Sequence, residues 1–139
     1  MSLQRVRIDD MLMPPKLTIS LLPDDLVVCR LPADATPPAV VTGSRLYSVT
    51  ASADEISIVC REAEAPAGAT VEHGWRAFVA DGPLDFSLVG VLNSMLTPLV
   101  DAKVPVFAMS TYTTDYVLVR EQDVRPATTA LKIAGHTVR

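Results

Sequence analysis

The chain nearly repeats itself. Shifting it by sixty residues lays Tyr47 on Phe107, Val49 on Met109, Thr50 on Ser110 and Glu55 on Asp115. The same shift lays Ile56 on Tyr116, Ile58 on Leu118 and Val59 on Val119. Each copy is an apolar run, a turn rich in Ser and Thr, an acid, and a second apolar run. Upstream, Leu26–Leu31 and Trp75–Ala80 match at an offset of forty-nine. The difference, eleven residues, is about the amount by which the second half carries a longer helix. A duplication of this kind restricts the fold to two related halves that bury their apolar faces together.

Strand patterns are plentiful. Leu26–Leu31 is a β-branched run stopped by Pro32. Arg45–Ala51, Glu55–Arg61, Trp75–Ala80, Val104–Ser110 and Asp115–Arg120 carry alternating or β-branched character between turn residues. Two helices stand out. Over Ser87–Ala102, residues Leu88, Val91, Leu92, Met95, Leu96 and Leu99 form one apolar stripe, and Asp85 or Ser87 can cap its start. Pro98 removes the backbone bond to Ser94 and predicts a kink. The second helix covers Glu121–Ala134, with acids at its start and Gly135 as its stop. A short strand near Thr137–Val138 closes the series, and Thr36–Gly43 has room for a helix of one or two turns.

The second half thus reads β-α-β-β-α-β, the ferredoxin-like plan of an antiparallel sheet with both helices on one face. The first half reads as an abbreviated copy. The predicted organisation is α+β, with a first subdomain and its N-terminal extension over 1–65, a connector over 66–71 rich in small residues, and a second subdomain over 72–139.

Composition excludes several function classes. The 139 residues are 49% hydrophobic and 20% charged, enough to build a core without disulfides or metal. Net charge is −4 with no basic stripe, so a phosphate backbone is repelled and nucleic acid binding is not expected. Cys29, Cys60, His73 and His136 do not form a zinc-ligand spacing, so no metal is expected; a Cys29–Cys60 disulfide stays open. No stretch reaches eighteen apolar residues and the N-terminus lacks an apolar leader, so the expectation is a cytoplasmic protein off the membrane. No GxSxG, GxGxxG or Walker sequence is present, and no histidine is placed beside a nucleophile; no catalysis and no cofactor are expected.

The segments Phe78–Val119, with GPLDFSLVGVL and STYTTDYVLV, and Tyr47–Cys60 resemble a small family of tandem ACT-domain proteins. These are bacterial stand-alone proteins, similar to the ACT modules of aspartate kinases and of the cytosolic arginine sensor in animals. The resemblance covers roughly residues 17–135. It implies two ACT subdomains in tandem and a small-molecule-binding regulatory module, usually for amino acids, often dimeric and without catalysis of its own. It differs from the larger relatives in having no kinase or dehydrogenase domain within this sequence.

A free amino acid presents a carboxylate and an ammonium. The unpaired N–H groups at a helix start suit the carboxylate, and the segment Asp85, Phe86, Ser87, Leu88 and Val89 offers them. An acid suits the ammonium through a charge-assisted bond. Asp115 is the candidate, with Ser110, Thr111, Tyr112 and Thr113 completing the turn before it. In the arginine sensor that the chain resembles, an acid in the matching position holds the ligand. Each residue also has a plainer reading. Asp115 can serve its own turn, Asp85 can cap the helix, Phe86 and Trp75 can be core, and Tyr112 can face solvent. Glu55 can be structural rather than a second site. The alternative function is a dimerisation or protein-docking module without a ligand, acting through an exposed sheet edge.

Overall fold

The computed structural model describes residues 15–39, 43–82, 84 and 90–139. Eight strands and two α-helices lie among them: β1 (Thr18–Leu21), β2 (Leu26–Pro32), β3 (Ser48–Ala51), β4 (Glu55–Arg61), β5 (Thr70–Ala80), α1 (Val91–Asp101), β6 (Val106–Ser110), β7 (Asp115–Arg120), α2 (Val124–Ile133) and β8 (Thr137–Val138). The fold class is α+β, as the sequence predicts. Contacts divide the chain into two compact units, Leu22–Ala77 and a second built around Phe78–Arg139 with the strand before Leu22. Residues 66–71, read above as a connector, lie within the first unit, and Thr70 and Val71 already belong to β5.

In the first unit the strand order is β3-β4-β2-β5, antiparallel throughout. Alternation along β2 and β4 sends Val27, Cys29, Leu31, Ile56, Ile58 and Cys60 to one face, where they form a closed core. Fully burying side chains such as Ile56 and Ile58 stabilises by about 1.5–3 kcal/mol each. Tyr47, Val49 and Val71 pack against that core. Trp75 is buried, in agreement with its plainer reading. The helix expected over 36–43 is not found at 36–39 or 43; residues 40–42 are not described. A single 3-10 turn, Glu62–Glu64, stands where a second helix would be.

Both cysteines are free and buried. They sit one register step apart on the core face, Val27 opposite Cys60 and Cys29 opposite Ile58. Burial pushes the Cys60 thiol up from 9.0 to about 12, reinforced by Cys29 beside it and by Glu64. Burial also raises Cys29. An unfolded thiol loses its proton near its ordinary value, a folded one only near 12. Between those values the unfolded chain holds fewer protons, so stability falls as pH rises. The expected slope from Cys60 is up to about 1.4 kcal/mol per pH unit above pH 9. Urea unfolding of wild type and Cys60→Ala at pH 8 and at pH 10.5 checks this. The variant's stability should fall less between the two conditions, and equal falls contradict the assignment. Neither thiol should react with a disulfide reagent until the chain unfolds, since the thiolate is the nucleophile.

In the second unit β7 is bonded to both β6 and β5, and β1 to both β5 and β8. One pairing departs from the antiparallel expectation. β1 runs antiparallel to β5 but parallel to β8, so it stands between the two strands that adjoin in the simple four-stranded plan. The alternation Leu17, Ile19, Leu21 carries the signal for this strand: Leu17 and Ile19 are core residues and Leu21 packs against them. The helices contribute Val91, Met95, Leu99, Ala127 and Leu131 to the same core, over Phe78, Ala80, Val117 and Val119 of the sheet.

Helix boundaries differ from the sequence reading in a physically simple way. Gly90 holds a left-handed backbone at φ 81 and is the cap of α1, with no side-chain cap bond. Glycine takes that conformation without a Cβ penalty. Among the described residues α1 covers Val91–Asp101; Asp85 and Ser87, the expected caps, lie outside the described residues. Leu88 of the predicted stripe lies outside the described residues. The second helix begins with a 3-10 turn, Glu121–Asp123, and becomes α-helical at Val124. It ends as predicted at Gly135, φ 96. There Gly135 N–H donates to Lys132 O at 2.9 Å and His136 N–H to Leu131 O at 3.1 Å, the two bonds of a Schellman stop.

Candidate functional site

Five of the ten residues singled out from the sequence lie on one hairpin. Ser110 ends β6 and Asp115 opens β7, and the two are directly paired. The connection between them closes on itself. Thr111 N–H donates to Thr114 O at 2.8 Å, and the Thr111 hydroxyl donates to the same carbonyl while accepting from Thr114 N–H. Hydroxyl side chains bonded to nearby backbone favour such a turn. Thr111, Tyr112 and Thr113 are exposed, Tyr112 at 81%, which agrees with the solvent-facing reading of that ring. The other five residues, Asp85, Phe86, Ser87, Leu88 and Val89, lie outside the described residues.

Asp115 is half-buried and accepts a 2.5 Å hydrogen bond from the Ser110 hydroxyl on one carboxylate oxygen. Among the described residues no basic side chain is paired with it. Glu55, its counterpart at a shift of sixty, differs. Arg30 on the neighbouring strand binds Glu55 at 3.1 Å, which satisfies its charge within the fold. The shift itself needs revision. Ile56 and Ile58 face one core, and Val117 and Val119 face the other. Core-facing positions therefore match at an odd shift, because a slip of one residue exchanges the two faces of a strand, and the turn bonds choose fifty-nine: Ser52 N–H to Glu55 O corresponds to Thr111 N–H to Thr114 O. At that shift Asp115 corresponds to Ile56, a core residue, so the first hairpin has no acid at the matching place.

The hairpin tip rests on the segment that leaves β5. Leu84 N–H donates to Thr113 O at 2.9 Å. The Thr114 hydroxyl donates to Ala80 O at 2.5 Å. Gly82 lets the two approach: a Cβ there would stand 3.2 Å from Thr113 O and 3.0 Å from Leu84 N. Leu84, the residue before the undescribed segment, is thus bonded to the hairpin that carries Asp115. The first helical bond of α1 runs from Ser94 N–H to Gly90 O at 2.8 Å. Val91, Leu92 and Asn93 consequently have no intrahelical acceptor for their N–H groups.

Sequence reasoning missed Asp81 as a member of this end of the sheet. It accepts from Ser20 Oγ at 2.7 Å and pairs with Arg139. The Asp-Gly-Pro sequence shows only that a strand stops there; the partners come from β1 and from beyond β8. Among the described residues no three His, Cys, Asp or Glu side chains converge as a metal site, and no helix is long and apolar enough to cross a membrane.

Comparison with known proteins bears on the family and the fold. The sequence profile described as ACT domain matches residues 70–132, and a second profile, described as an N-terminal domain, matches residues 24–68. No curated protein matches significantly. Among solved structures, a protein from Agobacterium tumefaciens is 32% identical, with a TM-score of 0.82 over 90% of this chain and 93% of that one. The regulatory subunit of aspartate kinase from Thermus thermophilus, in its ligand-free form, has the same fold at 11% identity, with a TM-score of 0.61 over 87% of this chain and 99% of that one. Clostridium acetobutylicum aspartate kinase, at 11% identity and a TM-score of 0.63, matches 87% of this chain with 35% of its own length. The profile match, the strand–helix order behind it and these shared architectures lead to one assignment: the chain belongs to the ACT-domain family.

Proposed function

We propose that the protein is a non-catalytic regulatory module that binds a small zwitterion, an amino acid, beside the Ser110–Asp115 hairpin. Asp115 receives the ligand ammonium. Ser110, Thr111, Tyr112 and Thr113 border it, and the segment Asp85 to Val89 together with the first N–H groups of α1 faces the carboxylate. The observation that carries the reading is the state of Asp115: a half-buried acid bonded, among the described residues, to the Ser110 hydroxyl and to no basic side chain, where Glu55 has an arginine. The two units are read as two ACT modules in tandem. The order β3-β4-β2-β5 is that of a βαββαβ module with its helices reduced, and β5-α1-β6-β7-α2-β8 follows the same element order in full.

A thermal-shift screen of the twenty common amino acids tests this. At least one should stabilise, by about 2.7 kcal/mol at one hundred times its dissociation constant. No stabiliser at millimolar concentration contradicts the reading. The second reading, a docking or homodimerisation module, draws on β6. This strand has one partner, β7, among the described strands, and a strand at the edge of a sheet is where another chain adds on. It is favoured if the chain elutes as a dimer whose assembly ignores every amino acid tested.

A further inference from the structure

We propose that Thr114 and Gly82 are positioning residues that fix the hairpin tip onto the exit of β5 and thereby aim the Asp115 carboxylate; this rests on the amino-acid site proposed above. Two bonds join the tip to that exit. One, from Leu84 N–H to Thr113 O, is pure backbone. The other, from the Thr114 hydroxyl to Ala80 O, depends on a side chain. Thr114 is the residue immediately before Asp115, so whatever holds it sets where the carboxylate begins. Ala80 is fully buried at the end of β5 and gives the hydroxyl a rigid anchor.

Without this fastening the tip, a four-residue connection with three of its residues exposed, keeps its own Thr111–Thr114 bonds and loses its hold on the exit of β5. A tip released there shifts against the end of β7, and Asp115, the first residue of that strand, shifts at its Thr114 side. Gly82 is required for a different reason. Its backbone is not in the left-handed region, so alanine is conformationally allowed, but the added Cβ would press on both atoms of the Leu84–Thr113 bond. The two residues act on the same contact from opposite sides. Neither is placed in the ligand site: the Thr114 hydroxyl is taken by Ala80 O, and Gly82 has no side chain.

The experiment compares wild type, Thr114→Val, Thr114→Ser and Gly82→Ala by Leu84 amide exchange and by calorimetric titration with the amino acid that stabilises wild type best. Valine keeps the shape of threonine without the hydroxyl, and serine keeps the hydroxyl. Thr114→Val should speed Leu84 exchange about tenfold and weaken binding about tenfold, the size expected for one hydrogen bond. Thr114→Ser should restore both, and Gly82→Ala should move both in the direction of valine. A valine variant with wild-type exchange overturns the fastening. Faster exchange with unchanged affinity overturns the positioning role. If no amino acid binds wild type, the proposed site is what fails, and the exchange rates alone then decide whether Thr114 fastens the tip.

Discussion

Replacing His136 with phenylalanine is expected to destabilise the fold by about 3 kcal/mol, and a second substitution at Pro98 should recover part of the loss. The argument begins with the proline. Pro98 lies inside α1 and has no N–H, so it cannot serve the carbonyl four residues earlier. That carbonyl belongs to Ser94, which is buried. A buried carbonyl without a donor costs about 1–3 kcal/mol. The His136 ring supplies the donor, with Nε2 at 2.9 Å from Ser94 O. The other ring nitrogen, Nδ1, accepts from Leu17 N–H at 3.1 Å. Both bonds are satisfied by the neutral ring with its proton on Nε2. The Schellman stop after α2 places the histidine there, since His136 follows Gly135 in that turn.

Phenylalanine fills the same space and leaves both backbone groups unpaired. Pro98→Ala returns an N–H to the helix, so Ser94 O no longer depends on the ring. In that background His136→Phe should cost about 1–2 kcal/mol less. Urea unfolding of the four proteins of this cycle checks it. Strict additivity would show that the histidine is not filling the place left by the proline.

This arrangement also marks how far the sequence could be read. The bond lost at Pro98 is legible from spacing alone, and so is the glycine stop at Gly135. The histidine that answers the loss is forty-two residues away from Ser94 in the chain. Its role depends on how a strand, a helix and a turn meet, which no local pattern encodes. The strands β2, β4, β6 and β7 were legible because alternation and β-branching persist over five to seven residues. β1 was missed although Leu17, Ile19 and Leu21 alternate, and its placement between β5 and β8 is set by tertiary pairing.

The candidate site divides in the same way. The hairpin Ser110–Asp115 is local, and its Ser/Thr turn chemistry is written in adjacent residues. The contact of Thr113 and Thr114 with Ala80 and Leu84 joins residues about thirty apart. The sequence could suggest that the two segments meet but could not supply the bonds that join them. The shift of sixty, chosen by chemical likeness, misjudged the faces by one residue. Burial on each strand identifies the error, because only burial separates the core side from its reverse.

Asp115→Asn is expected to weaken amino-acid binding about tenfold to a hundredfold while leaving the fold within about 0.5 kcal/mol of wild type. Asparagine is nearly isosteric and keeps an acceptor for the Ser110 hydroxyl, so the hairpin retains its bond. What it removes is the negative charge, and a hydrogen bond to a charged group is worth about 1.5–3 kcal/mol. Glu55→Gln is the matched control. Arg30 already neutralises that carboxylate, so its loss should leave ligand affinity untouched. The decisive measurement is calorimetric titration of wild type, Asp115→Asn and Glu55→Gln with the stabilising amino acid. Selective loss of binding in the first variant alone agrees with an ammonium seated on Asp115. Equal affinity in all three proteins would place the ligand elsewhere and overturn the assignment.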